Sequence, residues 1–426
     1  MPDGTATAHL LLPKLATTLA EGYSLAKLRN DVLAGLTVAV VALPLSMAIA
    51  VASGVSPERG LYTAIIGGVL VSALGGSRYQ VGGPAGAFIV LVAATVAKFG
   101  LSGLFCAVFL SGLMLAALGL VRLGGLVRHI PHAVTVGFTC AIATTILASQ
   151  LKDLGGLTLT APEPGALAPK LMALGRAIST LQPTAIATGA AVAGAIFLLK
   201  RLRPNWPAML IAVVVASVVA FVFHVPIMTI GARFGGVPSG FPAPRPPTLS
   251  PSLMLAVLPS AVTFALLGAV ESLLSAKVAD GMTGRKHRSN MELVAQGIAN
   301  MASSCFGGIC VTGTIARTAT NVRAGASSPM AGVLHAVFLL LFVLVAAPLA
   351  SYVPLAALAG VLLVVCWNMA EKAEFARLLR NWRTATVLLV TFGATLLRDL
   401  TTGIIAGCVL AALLAAVRRS VPEEGD

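Results

Sequence analysis

Arg317 stands where a charge is costly. Residues 311–325, VTGTIARTATNVRAG, set it among small hydroxyl and glycine residues, between NMASSCFGGIC and the apolar SSPMAGVLHAVFLLLFVLVAAPLA. An ionisable group within lipid-suited sequence marks a substrate path or a paired partner. Thr312, Gly313 and Thr314 can unwind or cap a helix whose first turn would hold Ile315, Ala316 and Arg317. A helix N-terminus and a guanidinium would then share one space, a combination that suits an anion. The competing reading is a side chain that snorkels to the interface, as expected of Arg323.

A second interruption, QVGGPAGAFIVLVAA, has no charge but a related shape. Pro84 lacks an N–H and fits a first helical turn, while Gly82 and Gly83 favour irregular backbone. A helix running from Pro84 to Ala97 would be roughly 21 Å long, short of a hydrocarbon core of roughly 30 Å. Its start would fall near the midplane, with the N–H groups of Ala85, Gly86 and Ala87 directed into the protein. The alternative is a Pro/Gly kink in an ordinary spanning helix.

Glu271 is the third piece. It lies deep in the apolar run 252–276, with Ser275 one helical turn later on the same face. There it could carry a proton or coordinate a cation with the substrate, or form a structural salt bridge with Arg317 or Lys277. Asp280 and Glu292 sit nearer the membrane ends and read as solvated or helix-start charges, and Asp399 beside Arg398 as a loop pair. His129 and His132 flank Pro131 with no third ligand, so no metal site is expected. The six cysteines lack a CxxC pair and read as buried thiols. No HExxH, GxSxG or GxxxxGK occurs; no catalytic residue and no cofactor are expected.

The elements that must position these residues follow from composition. The chain of 426 residues is 57% hydrophobic and 10% charged, against roughly 25% charged in soluble proteins. Apolar runs recur from residue 32 to 417, several of them matching the roughly 20 residues that span a bilayer. The fold class is therefore an all-α polytopic membrane protein; the alternating segments of a β-barrel are absent. The net charge of +14 does not form a nucleic-acid patch, because the basic residues flank apolar runs. With both termini cytoplasmic, most of them, among them Lys27, Arg29, Lys200, Arg201, Arg285, Lys286, Arg418 and Arg419, fall inside. No cleavable signal peptide is evident, and residues 1–30 read as a cytoplasmic lead-in.

The two halves echo each other. GLYTAIIGGVLVSALGG ends at Gly75 and Gly76 just before the first interruption, and NMELVAQGIANMASSCFGG ends at Gly307 and Gly308 just before the second. ALPLS closes on Ser46 and ESLLS on Ser275. Matching interruptions in two halves are the pattern of transporter inverted repeats. The Pro/Gly-rich stretch 228–251 divides a first repeat, 31–227, from a second, 252–418, with a short cytoplasmic tail at 419–426.

LRNDVLAGLTVAVVALPLSMAIAVASGVSPERGLY, then GGSRYQVGGPAGAF, then VTGTIARTATNVRAGASSPMAG, resembles the SulP family of anion transporters, solute carrier family 26. The resemblance implies fourteen transmembrane segments in two inverted repeats of seven, with half-helices at segments 3 and 10. It also implies a core domain that rocks against a gate domain in an elevator-like motion, usually within a homodimer. The anion site would comprise Leu45 and Ile49, Ala85 and Gly86, Ala316 and Arg317, with Glu271 and Ser275 as the coupling pair. Leu45, Ala85 and Ala316 stand where animal relatives carry polar or aromatic groups, so the site should lean on backbone N–H groups, helix dipoles and Arg317. Family members commonly continue into a cytoplasmic STAS domain, whereas this sequence reads as the membrane domain alone. Sodium-coupled bicarbonate members tend to have Asp where this chain has Glu271. The expectation is a proton-coupled secondary transporter of sulfate or a dicarboxylate. Sodium-coupled bicarbonate uptake, an anion exchanger or channel, and a nucleobase transporter are the alternatives.

Overall fold

The computed structural model describes residues 11–125, 131–161, 163–164, 167–204, 206–398 and 400–420. Arg128, His129, Asp399 and the tail from 421 lie outside the described residues, and with them half of the His129/His132 pair. Helices dominate. α1 (Lys14–Ala20), α2 (Leu25–Ala52) and α3 (Pro57–Leu74) lead to a two-residue strand, β1 (Gly82–Gly83). A 3-10 turn, Gly86–Phe88, then opens α4 (Ile89–Leu120), which breaks at Gly100, where φ is 66° and ψ is −172°. Next come α5 (His132–Gly155), α6 (Leu167–Arg176), α7 (Pro183–Leu202), α8 (Ala208–Val222) and α9 (Ile230–Phe234). The second half runs α10 (Pro251–Thr283), α11 (Ser289–Cys305), β2 (Thr312–Gly313), α12 (Ile315–Arg323) and α13 (Met330–Ala346). It closes with α14 (Leu355–Met369), α15 (Lys372–Leu378), α16 (Trp382–Leu397) and α17 (Leu400–Ser420).

Local chemistry sets the boundaries. Ser24 and Ser250 cap α2 and α10 by accepting from Lys27 N and Leu253 N, and Pro57 and Pro251 open α3 and α10 where a missing N–H costs nothing. Left-handed Gly156 and Gly284 end α5 and α10. Among the described residues, 7 helical stretches are long and apolar enough to cross a bilayer, from Leu25–Ala52 to Leu355–Leu378.

Two groups of helices emerge from the packing. In one, α4 lies on α10 and α11 while α13 lies on α2 and α3, and α12 fits between α10 and α2. In the other, α5 packs on α14 and α16, α7 on α8 and α14, and α17 on α16. They meet chiefly where α2 runs against α14 and α8.

Several polar stretches are more ordered than their composition suggested. Within 228–251, α9 forms and Thr229 bridges to Pro354. The 151–182 stretch holds the amphipathic α6, whose Lys170 pairs with Glu163 at 3.0 Å. Lys14 in the lead-in donates its backbone N–H to Gly75 O at 2.9 Å, and burial, with Arg288 and Arg78 nearby, pushes its ammonium down to about 8. Asp280, expected to be solvated, is half-buried and pairs with His287 at 2.6 Å. All six cysteines are free, with Cys305 and Cys408 only partly buried.

Candidate functional site

The two interruptions meet. β1 and β2 pair antiparallel, with Gly82 opposite Gly313 and Gly83 opposite Thr312, and Thr314 N donates to Val81 O at 3.3 Å. Strands this short are held from outside. The side-chain amide of Asn300 acts as a surrogate strand, accepting from Val311 N at 2.9 Å and donating to Val311 O at 2.8 Å. Ser272 Oγ takes Gly313 N at 3.3 Å and meets Thr312 Oγ1 at 2.8 Å. Two glycines are required by close approach: a Cβ on Gly83 would sit 1.6 Å from Arg317 Nη1, and one on Gly313 1.8 Å from Gln80 Nε2.

From this crossing the chain leaves through Ala85 into α4 and through Thr314 into α12. Both capping residues are extended, with φ −119° and ψ 146° at Ala85 and φ −107° and ψ 130° at Thr314. Neither helix has an acidic residue in its first turn. Their leading N–H groups therefore present uncompensated partial positive charge to the space beside the crossing.

Arg317 adds a full charge. Its side chain is 1% exposed, which rules out snorkelling. Nη2 donates to Ser46 Oγ at 3.0 Å, while Nε and Nη1 have no hydrogen-bond partner. Thr314 Oγ1, at the same helix start, is also buried and unpaired. Glu271 does not neutralise it: no ion pair among the described residues includes either group. Glu271 is half-buried, and the salt bridge with Arg317 or Lys277 that the sequence offered as an alternative is not formed. Ser275 is wholly buried and donates to Thr318 Oγ1 at 3.2 Å, so it braces α12 and leaves Glu271 alone as the open member of the pair.

The remaining expected residues lie on α2 and at the starts of α4 and α12. Leu45 and Ile49 are buried on α2, flanking Ser46. Ala85 is buried, whereas Gly86 is half-buried and Ala316 exposed. Across from Gly86 lie Ile146 of α5 and Met369 of α14, whose Cδ1 and Sδ stand 3.8 and 4.0 Å from where its Cβ would be. These two side chains come from the other helix group.

Glu292 corrects the sequence reading. It does occupy the first turn of α11, but it is 0% exposed and not solvated. Its Oε2 accepts Gly76 N at 2.9 Å and Ser77 N at 3.1 Å; its Oε1 accepts Gln80 Nε2 at 2.9 Å and Gln296 Nε2 at 3.1 Å. Gln80 Nε2 also donates to Ser272 O at 3.1 Å, so one carboxylate ties the turn after α3 to α10 and α11. Glu292→Leu would strand three buried donors, Gly76 N, Ser77 N and Gln296 Nε2, and leave Gln80 Nε2 with Ser272 O alone; each stranded donor costs about 1–3 kcal/mol. The expected result is a stability loss of about 3 kcal/mol or more, read as a lowered melting temperature in detergent. An unchanged melting temperature would remove this role.

With that geometry in view, likeness to known proteins becomes informative. The sequence model of the Sulfate permease family matches residues 28–395. The chain belongs to that family. It is 45% identical over 395 residues to "Putative sulfate transporter YvdB" of Bacillus subtilis (strain 168), covering 92% of this chain and 74% of the relative. To "Bicarbonate transporter BicA" of Picosynechococcus sp. (strain ATCC 27264 / PCC 7002 / PR-6) it is 31% identical over 409 residues, 92% of this chain and 71% of the relative. Among solved structures, the transmembrane domain of a cyanobacterium bicarbonate transporter BicA superposes with a TM-score of 0.79 at 28% identity, covering 91% of this chain and 98% of that one. Like these relatives of the sulfate permease family, the chain is a multi-pass membrane protein.

Proposed function

We propose that the chain is a secondary active transporter of small anions, sulfate or a dicarboxylate first, driven by protons through elevator-like alternating access. The observation that carries this reading is the paired crossing: two helix starts without acidic compensation and a buried arginine with two unpartnered nitrogens converge on one place. The names of the relatives, transporters of sulfate and of bicarbonate, agree with an anionic substrate. In this reading the anion sits between the starts of α4 and α12, contacted by Ala85, Gly86, Ala316 and Arg317 and walled by Leu45 and Ile49. Glu271, with Ser275 behind it, carries the proton, whose binding relieves repulsion between carboxylate and anion so that the loaded core can move.

The architecture we assign is fourteen segments in two inverted repeats of seven, 31–227 and 252–418 with 228–251 between them. Half-helices stand at segments 3 and 10. Supporting it is an exchange in packing: α4 of the first half lies on α10 and α11, as α13 of the second lies on α2 and α3. The helices gathered about the crossing would form the moving core, and the group with α5 and α14 the gate, within a homodimer whose termini are cytoplasmic.

The test is uptake of labelled sulfate, fumarate and bicarbonate into proteoliposomes under an imposed proton gradient and then a sodium gradient. Proton-driven accumulation of one anion is expected; no uptake of any would reject the reading. Similarity to a bicarbonate transporter favours bicarbonate uptake as the second reading, and the sodium-gradient arm of the same experiment tests whether sodium drives it. Glu271→Gln should abolish acid-driven uptake while sparing anion exchange. Undiminished acid stimulation would exclude Glu271 as the carrier.

A further inference from the structure

Three glycines of the crossing are held by contact, and Gly86 is not. A Cβ on Gly82 would come 2.4 Å from Gly67 O, and those on Gly83 and Gly313 would strike Arg317 and Gln80 at 1.6 and 1.8 Å. A Cβ on Gly86 would meet nothing nearer than 3.8 Å, an ordinary contact, and its backbone lies outside the positive-φ region. Alanine would therefore fit there, and in a helical turn it is the more stable residue. What the missing methyl leaves is room.

That room has a wall. Gly86 is half-buried, and the atoms facing its absent Cβ are Ile146 Cδ1 at 3.8 Å and Met369 Sδ at 4.0 Å. α5 packs on the turn that opens α4, and α14 packs on α2. Ile146 belongs to one apolar cluster with Leu45, Ile49 and Ala85, and Met369 packs against it. The wall is thus continuous with residues assigned to the anion above, although it comes from the other helix group. Its two members differ in stiffness: Ile146 is 1% exposed and branched at Cβ, whereas the half-buried Met369 is an unbranched, adaptable thioether.

We propose that Ile146 and Met369, facing the open position of Gly86, set the size of the anion that the site accepts. This rests on the transport reading given above and adds its selectivity. Neither side chain has a strong hydrogen-bond donor, so neither holds an anion; each limits the thickness left beside the N–H groups at the start of α4. A larger anion must push Met369 aside. Because the wall also keeps water away, it strengthens the pull of the helix starts and of Arg317. Charge is read by those groups, and size by the apolar wall.

The test moves one methyl across the gap. Gly86→Ala adds a methyl on the helix side and Ile146→Val removes Cδ1 opposite it, so the double variant returns the room. Calorimetry with bicarbonate, sulfate and fumarate, in rising order of size, compares these variants with wild type, with melting temperatures alongside. Gly86→Ala should keep or raise the melting temperature. It should weaken each anion that binds, by roughly tenfold or more for the largest, and Ile146→Val in the same chain should restore the affinity. No loss, equal losses for every anion bound, or a loss that Ile146→Val does not relieve overturns the proposal. So does a sharp fall in melting temperature, which would make Gly86 a requirement of the fold. Met369→Ala alone should shift preference towards the larger anions, and an unshifted preference overturns the proposal as well. Wild-type protein that binds none of the three would sink the transport reading and this inference together, whereas binding without these size effects would sink this inference alone.

Discussion

Arg317→Ala is expected to weaken anion binding by roughly 10- to 150-fold, the equivalent of about 1.5–3 kcal/mol for a hydrogen bond to a charged group. The expectation follows from how the guanidinium is held. Only Nη2 is engaged, by Ser46, while Nε and Nη1 are buried without partners. Unsatisfied buried donors of this kind cost about 1–3 kcal/mol each, and an anion at the start of α12 would satisfy them. Arg317→Lys keeps the charge but loses the planar fork, and should recover only part of the affinity. Calorimetry with sulfate in detergent reads all three proteins. Equal affinity in wild type and Arg317→Ala would assign anion recognition to the helix starts alone.

The interruptions could be read from sequence because Gly-Gly-Pro and Thr-Gly-Thr puncture long apolar patterns, and a charge inside such a pattern announces itself. Arg317 and Glu271 were legible on that ground. The pairing of β1 with β2 was not, since two-residue strands have no periodicity to detect. Glu292 was misread for a related reason. A glutamate in the first turn of a helix satisfies the helix dipole wherever it lies, and its partners Gly76, Ser77 and Gln80 are remote in the chain. Ser46 showed only as the echo of Ser275; in the fold each touches α12, one through Arg317 and the other through Thr318. His335 gave no signal, because a lone histidine in an apolar helix becomes notable only once its ring is found buried and unpartnered. α6 and α9 were hidden by the polar composition of their stretches.

Gly83→Ala should reproduce the loss expected of Arg317→Ala although it removes no functional group. The new methyl would lie 1.6 Å from Nη1 and 2.8 Å from Cζ of Arg317, but 3.5 Å from Ala64 Cα, an ordinary contact. The backbone can therefore stay and the guanidinium must leave, so the crossing forms without its cation. Two consequences separate this from simple misfolding. The melting temperature should fall little, since Asn300, Ser272 and Glu292 still hold the strands. The double variant Gly83→Ala/Arg317→Ala should bind sulfate no more weakly than Arg317→Ala, because residues acting through one contact are not additive. If the two losses multiply instead, Gly83 contributes by itself, and its N–H and the ladder, rather than room for Arg317, become the reason a glycine stands there.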